Sequence, residues 1–93
     1  MFEWDEAKSR RNLRERGFDF EFAARIFEGD LLEHEDRRRD YGERRLVSIG
    51  EIDGEVFAIV YTWRGANRRI ISARRARRGE RDAYRQAFGQ GNP

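Results

Sequence analysis

The sequence predicts an α+β domain: two N-terminal helices, an antiparallel sheet of about four strands and one C-terminal helix. Three observations lead there. Segments 5–17 and 19–29 each open on a helix-capping aspartate and close on a glycine. Between residues 44 and 75 lie three stretches rich in β-branched and aromatic residues, parted by Asp53-Gly54 and Gly65-Ala66-Asn67. Residues 78–88 return to helical spacing, with Ala83, Tyr84, Ala87 and Phe88 on one stripe.

Each element has a local cause. Phe2 and Trp4 lead into Asp5, which caps a first helix carrying Glu6 in its opening turn, a Glu6–Arg10 pair at i,i+4 and Gly17 as its stop. Its apolar content is only Ala7 and Leu13, so it should lie on the surface, held at its ends by Trp4 and Phe18. Asp19 caps the second helix, in which Phe20, Ala23, Ala24 and Phe27 form a core stripe and Gly29 ends the turn. After Leu31 and Leu32, EHEDRRRDYG reads as a charged loop without periodicity. Strands follow at 44–50, 56–64 and 68–75, the middle one so continuously apolar that it should be covered on both faces. Residues 1–93 make a single domain, with 89–93 a frayed tail. With tight turns, Glu43 and Arg45 are expected opposite Trp63 and Tyr61, Arg64 opposite Arg68 near one end, and Arg74 opposite Ala58 near the other.

Composition narrows the function. The 93 residues are 38% hydrophobic and 41% charged, so a thin core must lean on seven Phe, three Tyr and two Trp. Without cysteine there is neither a disulfide framework nor a thiolate metal site, and a lone His34 cannot build an imidazole cluster; no metal and no cofactor are expected. The charged N-terminus lacks a signal peptide or membrane span, which makes the cytoplasm the expected compartment. The net charge of +2 hides a split: residues 61–93 carry nine Arg against Glu80 and Asp82, whereas residues 1–60 carry eleven basic and sixteen acidic groups. Clustered positive charge of this kind suits a polyanion, and every basic residue except Lys8 is arginine, whose planar fork matches phosphate. The plainer reading is a solvated basic surface.

Several segments carry a likeness to a known family. F-x-W-D-x-x-K at 2–8, Ala24-x-x-Phe27, G-E-x-R at 42–45, V-Y-T-x-R-G at 60–65 and R-I-I-S-A-R at 69–74 followed by E-R-x-x-Y at 80–84 resemble the BrnT family over nearly the whole chain. The resemblance implies a bacterial RNA-cleaving toxin of a type II toxin–antitoxin system, RelE-like in fold, that arrests translation. It also implies a BrnA-like antitoxin with a ribbon-helix-helix part, a heterotetrameric complex, and operator DNA bound only through the antitoxin. Where relatives commonly read K-H-G, this chain has Glu15-Arg16-Gly17, placing Arg16 at the position of a usual histidine.

Metal-independent RNA cleavage needs a base near the 2′-hydroxyl, cations around the phosphate and an acid for the leaving oxygen. On the family-like segments, Arg64 and Arg74 are the expected phosphate or transition-state binders, with Arg45 a third. Glu43 is the candidate base; Lys8 and Tyr84 are candidate proton donors or substrate contacts. Arg68, Arg69, Arg75, Arg77 and Tyr61 complete the expected RNA-binding set, and Trp63 with Tyr61 offers base stacking. Structural alternatives stand beside these: Glu43 as a salt-bridge partner of Arg45 or Arg64, Tyr84 as core, Lys8 as solvated. His34 is tempting as an acid or base, but within Glu33-His34-Glu35-Asp36 it reads as part of a surface loop. The competing function is a non-catalytic nucleic-acid-binding or protein-interaction module.

Overall fold

Asp5 and Gly17 bound the first helix as their chemistry requires. In the computed structural model, which describes residues 1–89, the Asp5 carboxylate accepts the N–H groups of Ala7 and Lys8. Gly17 adopts φ 88°, the left-handed conformation that closes a helix, and donates to the Leu13 carbonyl. The helix between them is α1 (Glu6–Arg16). Trp4 and Phe18 at its ends join the core as expected, and polar residues add to its docking. Leu13 is exposed, and the buried residues are Ser9 and Asn12. Ser9 Oγ accepts the Phe20 N–H at 2.9 Å, and Asn12 Nδ2 donates to the Phe18 carbonyl at 2.8 Å. A polar helix is thus tied down by two hydrogen bonds that also serve backbone groups of the next segment.

The second helix, α2 (Phe20–Ala23), starts under the Asp19 cap and tightens into a 3₁₀ turn over Ala24–Glu28. With three residues per turn, Ile26 follows Ala23 into the core, and both are fully buried. Phe27 is half-buried and packs against the same core cluster as Phe20, Ala23 and Ala24, so the expected stripe holds with its last member at the core's edge.

Five strands form one mixed sheet, β1 (Phe2–Trp4), β2 (Leu32–Glu35), β3 (Leu46–Ile52), β4 (Glu55–Arg64) and β5 (Asn67–Arg75), in the order β1-β5-β4-β3-β2. β1 runs parallel to β5 and the remaining pairs are antiparallel. This corrects the expected four-stranded antiparallel sheet, and both unforeseen strands are edges. β1 has three residues, too few to display an alternation. β2 starts at Leu32 and takes the first three residues of the expected charged loop; as an edge strand it carries polar side chains at little cost. Its Glu33 accepts hydrogen bonds from the hydroxyls of Ser48 and Tyr61 across the sheet.

β4 is covered on both faces, as its apolar run predicts. One side packs Phe57 and Ile59 with Ile70 and Ala73 against Phe18, Phe20 and Ile26. The other packs Val56, Ala58 and Val60 with Val47 and Ile49 against Ala76 and Tyr84, below the last helix, α3 (Arg78–Phe88). The expected tail, from residue 90 onward, lies outside the described residues. No helix among the described residues is long and apolar enough to cross a membrane.

The register differs from expectation by one residue near the β4–β5 turn. Asp53-Gly54 joins β3 to β4 with Ile52 opposite Glu55, which places Leu46, not Arg45, opposite Tyr61. Gly65-Ala66 makes a two-residue turn, so Arg64 opposes Asn67 and Trp63 opposes Arg68. A bulge at Val60/Tyr61 absorbs the difference, and Ala58 opposes Arg74 as expected.

Candidate active site

One row of side chains crosses the sheet on the face shared with α3. His34 on β2 pairs with Val47, Val47 with Val60, and Val60 with Ser72. Arg74 follows Ser72 by two residues and projects from the same face. The chain then turns into α3, bringing Arg77 and Glu80 to that end of the row, while Arg16 reaches it from the last turn of α1. These groups line a pocket of about 420 Å³, walled on the β2 side by residues 35–38. A larger depression of about 760 Å³ beside β1 is lined mainly by Phe2, Trp4, Phe22 and Phe27. We place the chemistry in the smaller pocket because it gathers the cations and the imidazole.

The acids of the pocket are committed. Arg74 donates to Glu80 through both terminal nitrogens, at 2.7 and 2.9 Å. Glu80 Oε1 also accepts the Arg77 N–H at 2.7 Å, capping α3. The Arg74 hydrogen bonds hold the Glu80 carboxyl down at about 2, against an opposing effect of burial. Asp36 is buried and accepts Arg38 Nε at 2.9 Å, Arg38 NH2 at 2.8 Å and the Tyr41 hydroxyl at 3.2 Å. The Arg38 side chain is the main cause holding its carboxyl far below the usual carboxylate range. Glu35 pairs with Arg37 and Arg44. By contrast, among the described residues the Arg77 side chain makes no salt bridge, and the His34 imidazole has neither hydrogen bond nor ion pair.

The other predicted site residues disperse. At the β4–β5 turn end, Glu43 accepts Arg45 Nε at 3.2 Å and lies 3.6 Å from Arg64 NH2, while Arg45 stacks on Tyr41 at 4.1 Å. Glu43 is therefore the salt-bridge partner of both arginines, and none of the three lines the pocket. Arg75 pairs with Glu55 at 2.6 Å and donates to the Arg16 carbonyl, closing the end of α1. Arg69 pairs with Glu3 on β1. Arg68 lies over Phe27, Trp63 and Tyr61 at 4.4, 4.7 and 5.3 Å. Tyr61 is buried, leaving Trp63 as the exposed member of the stacking pair. Tyr84 is core, with its hydroxyl on the Asp30 carbonyl. Lys8 is exposed on α1, next to Arg16 and Ser72 but outside the pocket.

Arg74 and Arg77 thus enter the pocket as members of the expected basic set. Ser72 and Glu80 join them unannounced, together with Arg16 and with His34, which the sequence offered as a tempting acid or base but read as part of a surface loop. His34 had one sequence signal, its being the sole histidine, which its acidic neighbours masked.

Residues 4–80 match the model of the family described as ribonuclease toxin, BrnT, of type II toxin–antitoxin systems. The chain belongs to the BrnT toxin family. That match spans both arginine clusters and ends at Glu80, the partner of Arg74. Comparison with curated proteins found no match. Membership makes RNA the substrate class and an antitoxin the protein partner that BrnT toxins imply. Arg16 lies in the pocket and donates to the Ala73 carbonyl at 2.7 Å.

Proposed function

We propose that this chain is an endoribonuclease toxin that cleaves RNA without a metal ion and so inhibits translation, and that a BrnA-like ribbon-helix-helix antitoxin neutralises it. A single RelE-like domain acting on cytoplasmic RNA, a heterotetrameric complex and operator binding through the antitoxin belong to the same reading. The observation that carries it is the meeting of Arg74, Arg77 and Arg16 around one concave pocket, with Arg74 at the end of the family-like segment 69–74.

Three guanidinium groups suit the pentavalent phosphate of a 2′-hydroxyl attack, because they supply charge and directed donors without reorganising. Metal independence is supported by the engagement of Glu35, Asp36 and Glu80 with arginines, which leaves none of them a ready cation ligand. Glu43 gives up the role of base here, since its carboxylate serves Arg45 and Arg64. An acidic or apolar antitoxin segment laid over the pocket blocks RNA and relieves the repulsion among the arginines. A complex that leaves Arg74 and Arg77 open to solvent contradicts that docking.

The experiment is incubation of antitoxin-free protein with labelled single-stranded RNA in EDTA, with and without ribosomes. Fragments ending in 2′,3′-cyclic phosphate are expected, reduced about 10²- to 10³-fold by Arg74→Ala. Intact RNA in both arms, despite salt-sensitive binding, favours the non-catalytic binding module.

A further inference from the structure

We propose that His34 is the general base of this pocket, an assignment that rests on the ribonuclease reading above. The sheet carries the argument first. His34, Val47, Val60 and Ser72 stand in one register row, and Arg74 projects from the same face two residues beyond Ser72. Three strand spacings of about 4.8 Å separate the backbones at the ends of that row. Arg74 and His34 line the same cavity.

Chemistry then eliminates the alternatives. Arginine stays protonated and cannot take a proton. The Glu80 carboxyl is fixed as an anion by the Arg74 fork, and Asp36 is buried beneath Arg38. Imidazole is the side-chain type that ordinarily exchanges its proton between pH 5 and 8. His34 is exposed and, among the described residues, bonded to nothing, so its nitrogens are available to a substrate.

The step balances as follows. Neutral His34 accepts the 2′-hydroxyl proton as O2′ bonds to phosphorus; the P–O5′ bond breaks, its electron pair stays on O5′, and water protonates that oxygen. The imidazolium returns its proton to solvent. The products are a 2′,3′-cyclic phosphate and a 5′-hydroxyl.

A general base that must be free of its proton makes the rate rise with pH and then level off. The charged groups facing His34 are Glu35, Asp36, Arg37 and Arg38 from its own strand and loop, with Arg16 from α1. Arg74 comes from β5, and Arg77 and Glu80 from the start of α3, whereas β3 and β4 contribute the uncharged Val47 and Val60. Arg38 and Arg74 hold the Asp36 and Glu80 carboxyls well below the usual carboxylate range, and Glu35 is paired with Arg37 and Arg44.

The test compares wild type, His34→Ala and His34→Gln in single-turnover cleavage of a short RNA in EDTA between about pH 5 and 9, free and on ribosomes. Both variants are expected to keep the melting temperature and the affinity for a 2′-deoxy, uncleavable oligonucleotide. Both should lose about 10²-fold or more in rate, together with the rise with pH. Added imidazole should restore part of the His34→Ala rate. Cleavage by the variants at the wild-type rate with the wild-type profile overturns the assignment alone. A wild-type chain that leaves RNA intact in both settings overturns the ribonuclease reading and the assignment together.

Discussion

Arg74 grips Glu80 with both arms of its guanidinium, at 2.7 and 2.9 Å, tying the last strand to the first turn of the closing helix. The pair fixes the direction of the Arg74 guanidinium and anchors α3. Glu80→Gln is expected to cost about 1.5 to 3 kcal/mol at neutral pH, as loss of charged hydrogen bonds does. The folded carboxyl sits at about 2 against an ordinary 4.5, so this stabilisation is complete above 4.5 and is lost as the pH falls through 2. Urea unfolding of wild type and Glu80→Gln should converge across that window; a constant difference down to the acid end would rule the pair out as the cause.

Arg77 and Arg64 should separate in function. Arg77 lines the pocket, its side chain in no salt bridge among the described residues, whereas Arg64 lies at the far end of the sheet beside Glu43. Arg77→Ala is expected to weaken RNA binding across sequences and lower the salt slope by about 1. Arg64→Ala should leave cleavage near wild type. Equal loss of cleavage in both variants would move the active site to the turn end.

Arg68 belongs to the fold before it belongs to any RNA. Its guanidinium meets Phe27, Trp63 and Tyr61, and it is partly buried. Arg68→Ala should destabilise the protein by about 1 to 2 kcal/mol, the range of a partly desolvated cation–π contact. An unchanged melting curve combined with weaker RNA binding would instead make it a phosphate contact.

Gly50 admits no larger residue without movement. A Cβ there would lie 2.7 Å from Ile26 Cβ, where the 3₁₀ turn presses on β3. Gly50→Ala is expected to cost about 1 to 3 kcal/mol through overpacking. Thermal unfolding checks it, and an unaltered transition would show that the turn slides away freely.

The sequence by itself determined what depends on near neighbours. Asp5 with Gly17, Asp19 with Gly29 and the 78–88 stripe specified helices, because caps and helical spacing act within a few residues. The apolar run from Val56 specified a central strand, since only burial on both faces explains it. Tertiary structure decided the rest. Edge strands such as Phe2–Trp4 and Leu32–Glu35 exist through pairing with partners far along the chain, so neither shows a pattern of its own. One residue of register at the Val60 bulge separated Arg64 from its expected partner. Nineteen arginines look alike in a sequence; Arg75 closes a helix, Arg68 lies among aromatic rings and Arg74 faces a pocket only because of the groups that folding brings to them. His34 read as a loop residue because its neighbours in sequence are acids, while its neighbours across the sheet and pocket, Val47 and Arg74, come from other strands.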